Sequence, residues 1–112
     1  MATMPPHNHC MVITTIDSAE AAEQLAHKIV DARLGACAQI VGPIKSVYWW
    51  DGAVQSEQEW QIWIKTTRDQ LDALTAHIRA NHSYDVPEIV ATPIIGGNPA
   101  YLAWVTNETQ AH

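Results

Sequence analysis

The dipeptide Asp51-Gly52 stands between two long runs of β-branched and aromatic residues, and this arrangement constrains the fold more than any other feature. Asp-Gly favours a type I′ turn, because both central residues of that turn take a positive φ. The surrounding stretch, residues 46–66, also carries four of the five tryptophans of the chain. The sequence therefore predicts a long β-hairpin with a large aromatic surface.

The outgoing arm of this hairpin divides into two faces, because successive side chains of a strand point to opposite sides. One face is apolar and predicts a core; it carries Trp60, Ile62 and Ile64. The other mixes charge with a large aromatic, which is typical of a subunit interface or a ligand cleft; it carries Glu59, Gln61, Trp63 and Lys65.

The rest of the chain alternates strand-like and helix-like periods. Residues 10–16 predict a buried strand, and Asp17 then acts as the N-cap of a first helix that Gly35 ends. Residues 36–41 and 44–50 predict one strand interrupted by a bulge or bend at Gly42-Pro43. A second capping signal at residues 67–70 starts a helix that should stop near Asn81.

The C-terminal part predicts one more strand and a short helix. The strand covers residues 88–95, where Pro93 indicates an edge or bulged position, and Asn98 caps the final helix. The order β-α-β-β-α-β predicts an α+β, ferredoxin-like domain whose two helices cover one face of an antiparallel sheet. We assign residues 10–108 to this single domain, and residues 1–9 and 109–112 to mobile tails.

Composition excludes several classes of function. The chain of 112 residues has a formal net charge of −6 and no basic run, which disfavours nucleic-acid binding. There is no apolar run near the ~18 residues that a membrane span requires, and no signal-type N-terminus, so we expect no membrane partner and a cytoplasmic protein. In that compartment Cys10 and Cys37 are expected to be reduced.

Catalysis is not predicted either. A phosphatase site on this fold would need an arginine beside a glycine-rich anion loop near the first strand, and the sequence has none there. No signature of a serine or cysteine nucleophile with its base is present. We therefore expect a protein without catalytic residues or an organic cofactor.

Four segments, in this order and spacing, resemble the CutA family of divalent-cation tolerance proteins: LGACAQIVGPIKSVYWWDG (residues 34–52), SEQEWQIWIKT (56–66), NHSYDVPEIV (81–90) and AYLAWV (100–105). The resemblance covers about residues 11–107. It implies a cytoplasmic homotrimer of PII-like architecture, assembled through its sheets, that is linked to copper tolerance and binds copper or other divalent metal ions. No reaction is established for the family.

The resemblance also implies where a metal ion would bind. Copper-binding members are proposed to use a cysteine near the end of the first strand and two histidines at the start of the His-x-Tyr loop. The matching positions here are Thr14, Asn81 and His82, so His82 is the one candidate metal ligand. The alternative is that His82 packs or forms hydrogen bonds within the cleft. A further group, His7, His9 and Cys10, is interpreted as part of the tail, because an extended chain points Cys10 away from both histidines.

Polar groups among aromatic residues predict a ligand-binding cleft between subunits, formed by Tyr48, Trp50, Glu59, Lys65, His82, Tyr84 and Trp104. In this hypothesis Lys65 meets the loop after His82, from its own or a neighbouring chain. In the alternative, Lys65 pairs with Glu57 or Glu59 across the trimer and fixes the register.

Two functions follow from these observations. The first is a divalent-cation (copper) tolerance protein, a non-enzymatic homotrimer that binds divalent metal ions weakly to moderately. The second is a PII-like signalling or scaffolding trimer whose intersubunit cleft binds a small molecule or a protein.

Overall fold

The computed structural model describes residues 8–110. Its elements are β1 (His9–Ile16), α1 (Ala19–Asp31), β2 (Cys37–Trp50), β3 (Ala53–Thr67), α2 (Leu71–Asn81), β4 (Ile89–Pro93) and α3 (Pro99–Glu108). A single turn of 3-10 helix, Arg68–Gln70, leads into α2. The predicted order of strands and helices is confirmed, and the fold is of the mixed α+β class.

The four strands form one antiparallel sheet in the order β2-β3-β1-β4. The β2–β3 hairpin turns at Asp51 and Gly52, whose φ angles of 51° and 78° are the positive values that the sequence predicted. The pairing of β2 with β3 shifts between Val41 and Ile44, which is the predicted bulge. β4 is an edge strand, and this position accommodates Pro93 because an edge strand leaves half of its N–H groups unpaired.

Helices α1 and α2 cover one face of the sheet, and the hydrophobic core lies beneath them. In the middle of this face Ile62 and Ile64 have no exposed surface, as the alternation in β3 predicted. The core residues are Cys10, Val12, Ile16, Ala22, Leu25, Ala26, Ile29, Ile62, Ile64, Leu74 and Ile78. We call this the covered face.

The ends of α1 differ from the prediction. Ser18, and not Asp17, is the N-cap: its hydroxyl accepts a hydrogen bond from the N–H of Ala21 at 3.0 Å. The helix ends at Asp31, and Arg33 takes the left-handed conformation with a φ of 64° that was expected of a glycine. Gly35 serves close packing instead, since a Cβ atom there would lie 2.5 Å from Cγ2 of Ile64.

Two residues just outside the predicted domain limits, His9 and Thr109, are held by the fold. β1 begins at His9, one residue earlier than expected. At the other end Thr109 is buried, and its hydroxyl donates a hydrogen bond to the carbonyl oxygen of Val105 at 2.8 Å. Of the other residues assigned to the tails, Asn8 and Gln110 are described, and residues 1–7 and 111–112 lie outside the described part of the chain.

The opposite face, which we call the open face, is covered at its two ends and not in its middle. At one end α3 lies against β1, where Nε2 of His9 and Oγ1 of Thr106 are 2.8 Å apart. At the other end residues 82–88 fold over Glu59. Between them Trp63 and Ile13, which pair directly across β3 and β1, remain half-buried. The outer part of the hairpin is exposed on both sides, with Trp49 74% exposed.

Candidate functional site

A cavity of about 580 Å³ opens between the hairpin and the loop formed by residues 82–88. β1, β2, β3 and this loop all contribute to its wall. The lining residues are Thr15, Ser46, Val47, Tyr48, Trp50, Glu59, Tyr84, Asp85, Val86 and Glu88. Four of the seven residues predicted to form a cleft therefore lie together here: Tyr48, Trp50, Glu59 and Tyr84.

The bulge in β2 decides which residues face this cavity. Before the bulge Val41 pairs with Gln61, and after it Ile44 pairs with Glu59, so β2 gains one residue relative to β3. A one-residue shift moves every later side chain to the other face. Tyr48 and Trp50 thereby come onto the same face as Glu59, while Trp49 points to the other side.

Hydrogen bonds tie the 82–88 loop to the sheet. The hydroxyl of Tyr84 donates to Oε2 of Glu59 at 2.9 Å, and the ring of Tyr84 packs against that of His82 with their centroids 4.7 Å apart. The His82 ring also lies 2.7 Å from the carbonyl oxygen of Thr15 in β1. Residues of β1 and β3 thus position the loop that closes one side of the cavity.

Both ring nitrogens of His82 are engaged by the backbone. Nε2 must donate its proton to the carbonyl oxygen of Thr15, because a carbonyl can only accept. Nδ1 then accepts a hydrogen bond from the N–H of Tyr84 at 3.0 Å. These contacts assign the neutral Nε2–H tautomer. A metal ion bound at either nitrogen would have to displace one of these hydrogen bonds.

Carboxylates shape the electrostatics of the cavity. The pKa of Tyr84 is raised well above its usual range. The main cause is burial, followed by the hydrogen bond to Glu59 and the negative charge of Glu59, with a smaller effect of Asp17. Loss of solvent, followed by the charges of Glu57 and Glu59, also raises the pKa of Tyr48. Both phenols therefore stay protonated and remain hydrogen-bond donors at neutral pH.

The residues that match proposed copper ligands do not form a metal centre. Thr14 lies on the covered face, fully buried, with no hydrogen-bond partner for its hydroxyl in the described structure. The side-chain amide of Asn81 donates to the carbonyl oxygen of His77 at 2.8 Å. Across residues 8–110, no three His, Cys, Asp or Glu side chains are grouped to hold a metal ion. A tight copper centre of that type does not fit these residues.

The second metal candidate is also not assembled within the described residues. The ring of His9 is hydrogen-bonded to the hydroxyl of Thr106. Cys10 is buried in the core, and this burial raises the pKa of its thiol; the positive charge of Arg68 has a smaller effect in the opposite direction. A raised thiol pKa disfavours the thiolate form that binds metal ions. His7 lies outside the described part of the chain.

Lys65 and Trp104 lie apart from the cavity. Lys65 is six residues along β3 from Glu59, roughly 20 Å at the rise of a strand, and its amine donates to the side chain of Gln39. Lys65 therefore lies away from the 82–88 loop of its own chain, and its contact with that loop of a neighbouring chain stays a prediction. Trp104 packs against Tyr101 in α3, with ring centroids 5.5 Å apart.

Sequence reasoning missed several lining residues. Asp85, Val86 and Glu88 surround Pro87 in the loop, and the path of that loop cannot be read from strand periodicity. Ser46 could have been found from the alternation of side chains along β2. It precedes Tyr48 by two residues and Trp50 by four, so all three side chains lie on the same face after the bulge.

Together, these elements define a small α+β protein, built on an antiparallel sheet with one face left partly open and a cavity beside it. The family model for the CutA1 divalent ion tolerance protein matches residues 10–108, nearly all of the chain. The chain belongs to the CutA1 family of divalent ion tolerance proteins, and the resemblance seen in its sequence is confirmed.

Relatives from plants and bacteria agree with this assignment. The chain is 50% identical over 100 residues to Protein CutA 1, chloroplastic, of Oryza sativa subsp. japonica, which covers 89% of this chain and 56% of the rice protein. It is 41% identical over 99 residues to the divalent-cation tolerance protein CutA of Thermus thermophilus, covering 88% and 96% of the two chains. The chain thus spans just over half the length of its plant relatives.

A solved structure supports the fold directly. The crystal structure of CutA1 from Oryza sativa superimposes with a TM-score of 0.90 at 47% sequence identity, covering 96% of this chain and 98% of that chain. Among residues 8–110, no helix is long and apolar enough to cross a membrane.

Proposed function

We propose that this chain acts as a divalent-cation tolerance protein that binds divalent metal ions, copper among them, weakly to moderately and without catalysing a reaction. The observation that carries the proposal is the family match over residues 10–108, since the family is described by tolerance to divalent ions and not by a reaction. The Thermus thermophilus relative has the same description.

Charge supports weak cation binding. The chain has a formal net charge of −6, and Glu59, Asp85 and Glu88 line one cavity beside the His82 loop. Such a field concentrates cations near the surface without fixing them in a defined coordination sphere. His82 can add an imidazole ligand when a metal ion competes with the N–H of Tyr84 for Nδ1. The cost of displacing that hydrogen bond agrees with a low affinity.

Native mass spectrometry of the protein titrated with Cu(II), with Cu(I) under reducing conditions and with Zn(II) tests this proposal. We expect saturable binding near one ion per chain that His82→Ala removes. His27→Ala is the matched control, because His27 is exposed on α1. A His7→Ala variant identifies any ions held by the N-terminal residues. A protein that stays free of metal ions, or one whose binding is unchanged by His82→Ala, would contradict the proposal.

We propose further that the protein assembles as a homotrimer in the cytoplasm. The support for assembly is the apolar surface on one side of the outer hairpin, where Trp49, Val47 and Val54 are 74%, 66% and 57% exposed in a single chain. A contiguous apolar surface of this kind is rare on proteins that remain monomeric. The cytoplasmic location rests on the sequence alone.

A second candidate function is a PII-like signalling or scaffolding role, in which the cleft binds a small molecule or a protein partner. The observation that favours it is the cavity itself, which falls within the ~300–1,000 Å³ of typical ligand sites and is walled by aromatic residues. The two functions differ in one measurement. Stabilisation by an organic ligand in the absence of metal ions favours the second function, and metal binding through His82 favours the first.

A further inference from the structure

We propose that the cavity between the hairpin and the 82–88 loop is a binding site for a small organic ammonium ion. This inference rests on the second candidate function and gives it a class of ligand. Three features of the cavity support it: the charge inside the cavity, the nature of its walls and the spacing of its carboxylates.

The charge inside the cavity has one sign. Glu59, Asp85 and Glu88 line it, whereas no lysine, arginine or histidine is among its lining residues. Glu59 is the most buried of the three, with 7% of its surface exposed. The ion pair formed within residues 8–110 joins Arg33 and Glu108, so it does not neutralise Glu59.

A buried carboxylate is stable when hydrogen bonds or a counter-ion compensate for lost solvent. Tyr84 supplies one hydrogen bond to Oε2 of Glu59. The described residues show no partner for Oε1 of Glu59, which leaves acceptor capacity at the wall of the cavity. A cation entering the cavity would provide the missing compensation.

Aromatic rings form the remaining walls of the site. Tyr48, Trp50 and Tyr84 line the same cavity as Glu59. The face of an aromatic ring carries negative electrostatic potential and attracts ammonium groups, and tryptophan does so most strongly. Rings combined with a carboxylate are therefore the environment that recognises an organic cation.

The spacing of the carboxylates favours an organic cation over a directly coordinated metal ion. Divalent ions need several oxygen atoms within about 2–2.6 Å of one point. The described residues contain no group of three acidic, histidine or cysteine side chains close enough for this. A cavity of about 580 Å³ is large for a bare ion and suited to a small organic molecule.

Isothermal titration calorimetry of the whole protein in metal-free buffer tests the proposal with two probes of nearly equal shape. Choline carries a quaternary ammonium group, and 3,3-dimethylbutan-1-ol is its uncharged isostere. We expect choline to bind at one site per chain, at least about tenfold more tightly than the alcohol, because the charge accounts for the recognition.

Two variants locate the binding. Glu59→Gln removes the charge but keeps an oxygen to accept from Tyr84, and we expect it to weaken choline binding about tenfold. Glu23→Gln, on the exposed surface of α1, is the matched control and should bind choline unchanged. Should Glu59→Gln fail to fold, Trp50→Leu replaces it, because Trp50 is 55% exposed and contributes to the cavity wall without belonging to the core.

Each outcome has a defined meaning. Equal binding of choline and the alcohol would overturn the ammonium assignment while leaving the cleft as a small-molecule site. Binding of neither probe by a correctly folded protein would overturn the assignment and remove its support from the second candidate function. Zinc binding that depends on Glu59, without choline binding, would assign the cavity to metal ions and overturn the proposal.

Discussion

The two faces of strand β3 each carry a large apolar side chain at the centre of the sheet, but the two side chains have different surroundings. Ile62 faces α1 and α2 and is fully buried, while its neighbour Trp63 faces the open side and is half-buried. Removing apolar surface from water is favourable whether the contacting residues belong to the same chain or to another molecule. Helices α1 and α2 of the same chain bury the covered face, whereas no described residue of the chain covers the middle of the open face.

This difference separates the residues that stabilise the single chain from those that would assemble the proposed trimer. The residues of the covered face contribute to the free energy of unfolding of each chain, through packing beneath α1 and α2. The residues at the middle of the open face, Ile13 and Trp63, are paired across β1 and β3 and are available for association. Substitutions on the two faces should therefore change different measurements.

The largest effect is expected from Trp63→Asp. A charge placed at the middle of an interface costs about 2 kcal/mol or more for each subunit, so the proposed trimer should dissociate. Light scattering should give the trimer mass for the natural sequence and the monomer mass for the variant. Val30→Asp is the control, since Val30 is 40% exposed on α1, away from the open face. A trimer mass for Trp63→Asp would refute the assignment of the interface.

A smaller but still large effect is expected from Ile62→Ala on the covered face. Removing a fully buried isoleucine side chain leaves a cavity in the core and should lower the free energy of unfolding by about 2–5 kcal/mol. Urea denaturation followed by tryptophan fluorescence measures this change. Val30→Ala serves as its matched control: Val30 is 40% exposed on α1, away from the open face and the hairpin, and its truncation should cost within about 0.5 kcal/mol.

Gly35→Ala tests how closely the covered face is packed. The added Cβ would meet Cγ2 of Ile64 at 2.5 Å, and Ile64 is a fully buried, β-branched side chain with little room to move. We expect a loss of about 1–3 kcal/mol in urea denaturation. Gly96→Ala is the control, because a Cβ at Gly96 meets nothing within 4 Å. Equal stability of the two variants would show that the packing at Gly35 relaxes easily.

The fold was largely predictable because its signals are local. The alternation of residues in β3 and the Asp51-Gly52 turn depend on neighbours in the sequence, and both are confirmed. The error at the end of α1 has a physical reason. A glycine close to the end of a helix suggests a left-handed cap, but Gly35 is required by contact with Ile64, 29 positions away, and Arg33 takes the left-handed conformation instead.

The candidate site was predictable in part for the same reason. The residues Tyr48, Trp50 and Glu59 were placed together because they belong to one hairpin. Lys65 was misplaced because its position along β3 sets it roughly 20 Å from Glu59, although both share a face. Asp85 and Glu88 were missed because an irregular loop brings them to the cavity through long-range contacts.

The smallest effect is expected at the open face, where Tyr84 holds the 82–88 loop to β3. Tyr84→Phe removes the hydrogen bond to Glu59 and should cost about 1 kcal/mol at neutral pH. Because Tyr84 is only half-buried, solvent can replace part of that hydrogen bond, so the cost falls below that of the substitutions on the covered face.

The effect of Tyr84→Phe should also depend on pH, in a direction set by the raised pKa. Folding raises the pKa of Tyr84 above its ordinary value of 10.0, so at high pH the unfolded chain loses this proton first. The unfolded state then binds fewer protons than the folded state, and the free energy of unfolding falls as the pH rises above about 10. The difference in free energy of unfolding between the natural sequence and Tyr84→Phe should be constant from pH 7 to 9 and shrink toward pH 11.

Urea denaturation of both proteins at these pH values measures this difference. The contributions of the other titrating groups cancel, because both proteins contain them. A difference that stays constant to pH 11 would mean that Tyr84 keeps an ordinary pKa in the folded protein, and that its contact with Glu59 contributes little to holding the loop.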